Sequence, residues 1–159
     1  PIGDEMKKRI YLIAILGIIL DQITKTFATM YLDNIVLIKD FISLTYVKNY
    51  GGAWGILNNN LFILVGVSII TLIIINRYIS RDANITKLSM VSYGLLIGGI
   101  FGNLFDRIFR GYVVDFLNFY IFKYDFPVFN VADMLIVIGI ILMFIEIVGG
   151  KYGSKSNKK

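Results

Sequence analysis

Two aspartates at the edges of strongly apolar segments could carry out acid–base chemistry. Asp115 lies in GYVVDF, and Asp133 stands at the head of the apolar run MLIVIGIILMFI. A charge carried to the middle of a bilayer costs about 2.5 to 3.5 kcal/mol, and less near the interface. The helix dipole also favours an acid in the first turn of a helix, so Asp133 taken alone has a purely structural explanation.

The position of Asp115 favours a shared site. It lies across a loop from Asp133, and the two ends of that loop return to the same face of the membrane. Paired carboxylates in a partly dry site cannot both ionise cheaply, so they tend to share one proton. One carboxylate can then take a proton from water while the other supports the carbonyl oxygen under attack. This is the chemistry of aspartic proteolysis.

Composition restricts the other possibilities. Of the 159 residues 57% are hydrophobic and 17% are charged, and the mean hydropathy is +0.72, which indicates an integral membrane protein. The chain has no cysteine and no histidine, so a thiol nucleophile, a Ser-His-Asp triad and an imidazole metal site are excluded. Carboxylates remain as the candidates for acid and base work.

The apolar runs predict an all-α polytopic membrane protein. Four transmembrane helices are expected at about 10–30, 61–77, 88–106 and 129–148, each near the ~20 residues needed to cross. A signal peptide is the alternative for the first segment, but no small-residue cleavage site follows its apolar core. Residues 6–150 then form a single membrane-embedded domain. Residues 1–5 precede Met6 and are interpreted as an expression remnant, and residues 151–159 as a cytoplasmic tail.

The segments between the helices have their own signals. Residues 31–60 contain the runs IVLI and FISLTYV broken by turn residues, which predicts a small extracytoplasmic β-sheet between helices 1 and 2. Residues 116–129 are rich in Phe and Tyr and suit a segment at headgroup level. Glycines 94, 98, 99 and 102 give the third helix a smooth side for close helix packing.

The positive charges predict the orientation. With a net charge of +5, ten of the sixteen Lys and Arg residues lie in MKKR, in residues 76–87 and in the tail. Short cationic flanks beside apolar runs fit a membrane surface better than nucleic acid, and they mark the cytoplasmic side. Both termini are therefore expected in the cytoplasm, with Asp115 and Asp133 at the outer edge of the bilayer.

One further charged pair lies inside the first apolar segment. Asp21 and Lys25 are four residues apart and so share a helix face, where such a pair contributes ~0.2 to 0.5 kcal/mol in water. An interfacial pair and a role in the site are both compatible with this spacing.

Five sequence patches occur in order along the chain: DQITK at 21–25, NYGGA at 49–53, GGIFGNLFDR at 98–107, GYVVDF at 111–116 and FNVAD at 129–133. Together they closely resemble the lipoprotein signal peptidases, also called signal peptidase II, from Met6 to about Val148. The resemblance implies a bacterial aspartyl endopeptidase of the cytoplasmic membrane. It would remove the signal peptide of a prolipoprotein by cutting before a cysteine that carries diacylglycerol, at the outer face.

The resemblance also implies roles for individual residues. Asp115 and Asp133 would be the catalytic pair. Eight further residues would bind substrate or support the site: Asp21, Lys25, Asn49, Gly51, Asn103, Arg107, Asn130 and Ala132. The outer sheet would be a cradle on the membrane surface, and GGAWGI would be a mobile cover. The expected partners are the lipidated prolipoprotein, membrane lipid and peptide antibiotics such as globomycin, with no metal, cofactor or nucleic acid.

Three alternative functions are considered on the residues alone. A presenilin-like protease would carry a GxGD signature, which is missing here. An ion-coupled carrier could also place acids in membrane helices, but residues 6–80 and 85–150 show no internal repeat. A membrane assembly factor without chemistry would tolerate Asn at either aspartate.

Overall fold

The fold consists of four long helices and one small sheet. The computed structural model describes residues 2–52, 56–58, 60–82, 84–121 and 124–156. The helices are α1 (Ile2–Tyr31), α2 (Leu61–Arg81), α3 (Lys87–Phe109) and α4 (Val131–Ser156). Each contains a segment long and apolar enough to cross a membrane. The polytopic helical architecture predicted from the sequence is thus confirmed.

The helices extend beyond several of the predicted spans. α1 includes residues 2–5, which the sequence interpretation set apart, and α4 continues to Ser156 within the segment interpreted as a tail. α4 begins two residues after the predicted position 129, because Asn130 caps it. Thr86 caps α3 in the same way, since its side chain accepts a hydrogen bond from the backbone N–H of Ser89.

The sheet draws strands from two connections. β1 (Asn34–Ile38) and β2 (Ile42–Asn49) lie between α1 and α2, as predicted. β3 (Val113–Ile121) and the short β4 (Tyr124–Asp125) come from the connection between α3 and α4, and the antiparallel order is β1-β2-β3-β4. The aromatic residues 116–129 therefore belong largely to the sheet. VVDFLNFYI has the β-branched and aromatic composition that fits a strand.

β3 packs one face against the end of α1. Val114 and Phe116 are buried with Ala28 and Leu32 in one apolar cluster. Because successive side chains of a strand point to opposite faces, Asp115 is directed away from this cluster. A second cluster of Ile10, Ile79 and Tyr93 lies at the other end of α1.

Glycines on α3 allow α1 and α4 to approach it closely. A Cβ at Gly99 would collide with the carbonyl oxygen of Ala132 and would lie 2.7 Å from a side-chain carbon of Ile136 on α4. A Cβ at Gly102 would lie 2.5 Å from the Asp21 carboxylate of α1. Small residues at such crossings let backbones pack tightly in membranes. The close packing predicted from the glycine spacing is therefore present.

We expect Gly99→Ala to lower the stability of the protein. The added methyl group has no space between α3 and α4, and such overpacking typically costs about 1 to 3 kcal/mol. Thermal unfolding of the purified protein in detergent measures the effect. Gly66→Ala on α2 is the matched control, because no atom beyond its chain neighbours and the adjacent backbone of its own helix lies within 4 Å of its added Cβ. Equal melting temperatures for the two variants would contradict the packing described here.

Candidate active site

A cleft with a volume of about 600 Å³ lies between α3, α4 and the sheet. Polar side chains line its mouth, and apolar side chains of α4 form a long wall. Both Asp115 and Asp133 face it. The residues that line the cleft are Asn49, Gly52, Asn103, Arg107, Val113, Asp115, Phe126, Pro127, Val128, Phe129, Asp133, Met134, Ile136, Val137 and Ile138.

Asp133 is held by the capping structure at the start of α4. Its backbone N–H donates to the side-chain oxygen of Asn130 at 3.0 Å, and the Asn130 N–H donates to Asp133 Oδ2 at 3.2 Å. This is a reciprocal cap of the helix N-terminus. Asp133 therefore does stabilise the start of a helix, which is the structural explanation considered above. The other oxygen, Oδ1, accepts from Asn103 Nδ2 at 2.8 Å, so the carboxylate is also fixed toward the cleft.

Asp115 is held by two amide side chains. Asn49 Nδ2 donates to Asp115 Oδ2 at 2.8 Å, and Asn130 Nδ2 donates to Asp115 Oδ1 at 2.6 Å. The side chain of Asp115 comes from β3 and is 2% exposed. Asn130 contacts both aspartates, because its amide reaches Asp115 while its backbone N–H reaches Asp133. The loop between β4 and α4 thus links the two carboxylates.

The surroundings raise the pKa of Asp115 to about 7, from an ordinary value of 3.8. Burial is the largest cause, because it disfavours the charged form, and the negative charge of Asp133 adds to it. The hydrogen bonds from Asn49 and Asn130 and the charge of Lys25 oppose the shift. Asp115 therefore keeps its proton up to near-neutral pH.

Arg107 lines the cleft and contacts Gly51, which precedes the lining residue Gly52. Arg107 Nη2 lies 3.4 Å from the Gly51 carbonyl oxygen, and the Gly51 N–H donates to Asn49 Oδ1 at 2.9 Å. This second contact fixes which way the Asn49 amide faces Asp115. The Nε of Arg107 is buried and has no hydrogen-bond partner within the described residues. The expected cover includes residues 53–55, Trp54 among them, which lie outside the described residues.

Asp21, Lys25 and Ala132 lie behind the cleft and do not line it. Lys25 Nζ is 2.9 Å from Asp21 Oδ2, and both side chains are fully buried. The interpretation of an interfacial pair is therefore wrong. The Ala132 N–H donates to Asp21 Oδ1 at 2.9 Å, so this pair is attached to the start of α4. All ten residues predicted for the site thus lie in or directly behind one cleft.

The sequence interpretation missed a group of polar residues behind the cleft. Asp106 is fully buried, lies 3.2 Å from Lys25 and forms an ion pair with Arg110. Gln22 donates to both Asp21 and Asp106. An acid within an apolar membrane helix was the available signal, because such a residue needs a partner. Within the described part of the chain, no group of acidic side chains has the arrangement of a metal site.

Comparison with known proteins now identifies the family. The sequence profile described as signal peptidase (SPase) II matches residues 13–149. The chain belongs to the signal peptidase II family. A lipoprotein signal peptidase of Clostridium tetani is 41% identical over 141 residues, which cover 86% of this chain and 90% of that protein. One from Anoxybacillus flavithermus is 41% identical over 138 residues, covering 85% and 82%.

Solved structures show the same fold. A bacterial membrane enzyme determined by the in meso method has a TM-score of 0.81 and 39% identity, covering 93% of this chain and 90% of its own. A second has a TM-score of 0.76 and 40% identity, covering 86% and 90%. The family assignment confirms the resemblance found in the five sequence patches. As a member of this family the protein is an aspartic-type peptidase, and the carrier and assembly-factor readings are set aside.

The pKa of Asp115 can be measured directly. In protein labelled with ¹³C at aspartate carboxyl groups, we expect one NMR resonance to titrate with a midpoint at about 7, since burial beside Asp133 disfavours ionisation. Below that pH the group is protonated, and above it the charge appears. The resonance should be missing in Asp115→Asn and present in Asp40→Asn, which changes an exposed aspartate of the hairpin. The prediction fails if every aspartate carboxyl titrates near the model-peptide value of about 3.9.

Proposed function

We propose that Asp115 and Asp133 are the catalytic pair of a peptidase that removes signal peptides from prolipoproteins, cutting before the diacylglyceryl-modified cysteine. One observation carries the proposal: two carboxylates from different elements face one cleft, and the Asn130 amide and backbone join them. The family and the lipoprotein signal peptidases that resemble this chain support the choice of substrate.

The roles of the two carboxylates follow from their surroundings. Asp115 is nearly inaccessible and its pKa is about 7, so it holds the proton of the pair. Asp133 is partly exposed in the cleft and acts as the base. Asp133 takes a proton from the attacking water while the water oxygen bonds to the scissile carbonyl carbon. Asp115 gives its proton to the carbonyl oxygen. As the C–N bond breaks, Asp133 protonates the leaving nitrogen and Asp115 recovers its proton from the hydroxyl group.

The shape of the cleft fits an apolar chain that ends in polar groups. The α4 wall of Met134, Val137 and Ile138 offers an apolar surface for the signal helix or the acyl chains. Arg107 lies at the polar mouth, where its buried Nε can donate to a carbonyl of the peptide or of the lipid ester. Membrane lipid is then a second partner. A peptide antibiotic such as globomycin would compete for the same cleft.

The positive charges and the helix ends support an orientation with the cleft at the outer face of the cytoplasmic membrane. At one end of the bundle, Lys7 Nζ donates to the Ser80 carbonyl at 3.3 Å, and Thr86 donates to Glu146 at 2.5 Å. The start of α1, the end of α2, the start of α3 and the end of α4 therefore share this end, which also carries most of the cationic flanks. The cleft and the sheet lie at the other.

The main test replaces each aspartate with asparagine. Asp115→Asn and Asp133→Asn should each reduce cleavage of a purified prolipoprotein that carries diacylglyceryl cysteine by about 10³-fold or more, because the pair loses its shared proton. The double variant should be no slower than either single one, since the pair acts as a unit. Rates are measured in detergent by the mobility shift of the cleaved precursor.

Two comparisons make this test specific. Asp40→Asn should cleave at the wild-type rate, because Asp40 is exposed in the β1–β2 hairpin. Arg107→Ala should raise KM for the lipidated precursor more than it lowers kcat, because Arg107 binds substrate and does not transfer protons. Full activity of either Asp→Asn variant at wild-type folding would sink the proposed catalytic pair.

The orientation has a separate test. A cytoplasmic reporter fused after Lys159 should be active, and one inserted at Asn58 should report the outside. Four crossings put both termini on the same side of the membrane, and residue 58 follows the first crossing, so it lies on the opposite side. The measurement is reporter activity in intact bacteria, with the same fusions in a soluble carrier as the control for reporter folding. Opposite results at the two positions would place the cleft in the cytoplasm.

A further inference from the structure

A fully buried lysine lies behind the cleft, and each of its three donors has an acceptor. Lys25 Nζ is 2.9 Å from Asp21 Oδ2, 3.2 Å from Asp106 Oδ2 and 2.9 Å from Asn103 Oδ1. An ammonium group has three N–H donors and no acceptor, so these three acceptors satisfy all of its donors. The three acceptors come from α1 and α3, the two helices that meet at Gly102.

Each carboxylate on Lys25 also binds a backbone N–H beside a catalytic aspartate. Asp21 Oδ1 accepts from the N–H of Ala132 at 2.9 Å, and Ala132 directly precedes Asp133. Asp106 Oδ2 accepts from the N–H of Val114 at 3.0 Å, and Val114 directly precedes Asp115. The two contacts are equivalent in the chain, one residue before each member of the pair. One ammonium therefore joins the two carboxylates that hold the two catalytic segments.

The third contact of Lys25 sets the orientation of an amide. Because Asn103 Oδ1 accepts from Lys25, its Nδ2 is directed at Asp133 Oδ1 at 2.8 Å. The reversed amide would place an NH₂ group against the ammonium and a carbonyl oxygen against a carboxylate. Asn130 Nδ2 also donates to Asn103 Oδ1 at 3.2 Å, which favours the same orientation. Lys25 thus reaches Asp133 by two routes, through Asn103 and through Asp21.

The cost of burying this charged cluster indicates that it fixes the positions of its neighbours more than it stabilises the fold. Asp21, Lys25 and Asp106 are fully buried, and the side chain of Arg110 is 25% exposed. Removing such charges from water is costly, and a well-packed apolar replacement is often equally stable. What an apolar replacement cannot do is accept two backbone N–H groups and a lysine at fixed distances. A cluster this costly to bury is therefore explained by the geometry that it imposes.

We propose that Lys25 is a positioning residue that sets the separation and orientation of the two catalytic carboxylates by holding Asp21, Asp106 and Asn103 together. Asp106 has the same role toward Asp115 as Asp21 has toward Asp133. The inference rests on the proposed catalytic function of Asp115 and Asp133. It gives Lys25 a specific geometric role in place of general support, and it adds Asp106 as a residue that acts on the reaction without contacting the substrate.

The test combines backbone exchange with kinetics in Lys25→Met, which keeps an unbranched side chain one atom shorter and removes the ammonium. NMR should show amide hydrogen exchange at Val114 and Ala132 accelerated by about tenfold or more, because their acceptors are no longer held. With the lipidated precursor, kcat should fall by about 100-fold, the loss expected for a misplacement of about 1 Å, with KM nearly unchanged. The two apparent pKa values of the activity profile should also move, because the coupling of the pair depends on its separation.

Two further variants keep the test decisive. Asp106→Asn leaves Lys25 paired with Asp21, so it replaces Lys25→Met if that protein does not fold, with the exchange effect then expected at Val114. Ile79→Ala is the matched control, because it removes buried side-chain volume from the cluster at the other end of α1. It should lower the melting temperature and leave the pH profile and the exchange rates of Val114 and Ala132 unchanged relative to the folded fraction.

The outcomes separate this inference from the function on which it rests. Accelerated exchange together with a shifted pH profile supports the positioning role. Unchanged exchange, or an unchanged pH profile in a folded variant, overturns it, because a purely structural lysine would behave like Ile79. The exchange measurement requires no catalysis. If Asp115→Asn or Asp133→Asn kept full activity, the catalytic proposal would fail while the exchange result still reported on the geometry.

Discussion

The ammonium group of Lys25 has no contact with solvent, and this constraint determines how the rest of the site is arranged. A buried cation is tolerated only where acceptors surround it, so Asp21, Asp106 and Asn103 must converge on one point. That convergence fixes α1 against α3, since neither helix can slide or rotate without leaving a charge unpaired. Because the two acids also hold the start of α4 and the start of β3, the same constraint extends to the cleft.

Such convergence is possible only where the helices are close. Asp21 occupies the space that a side chain at Gly102 would fill, and the Ala132 carbonyl occupies the space beside Gly99. The small residues of α3 therefore contribute more than van der Waals packing, because they let a carboxylate and a peptide group pass between helices. Helix packing and the polar network depend on each other, and neither explains the architecture alone.

The sequence predicted the helices and most of the cleft, because long apolar runs and ordered motifs are local signals. β3 was missed although VVDFLNFYI has strand composition, because membrane-facing aromatic residues give the same signal. Asp21 and Lys25 were recognised, but their burial could not be, since spacing on one helix does not show what the next helix supplies. Asp106 was overlooked for a related reason: its partners Lys25 and Gln22 lie on α1, far away in the chain, and its local partners Arg110 and Val114 do not show that it is buried.

The four buried or half-buried aspartates at the site have two kinds of partner. Asp21 and Asp106 each contact the Lys25 ammonium, and each also accepts a backbone N–H, so each is a fixed acceptor. Asp115 and Asp133 accept hydrogen bonds from neutral amide groups, and within the described residues neither forms an ion pair. Amides orient a carboxylate but do not cancel its charge, and burial raises the pKa of Asp115 to about 7. The same residue type thus contacts a cation directly in one place and neutral amides in the other, where we propose that it carries out the acid–base chemistry.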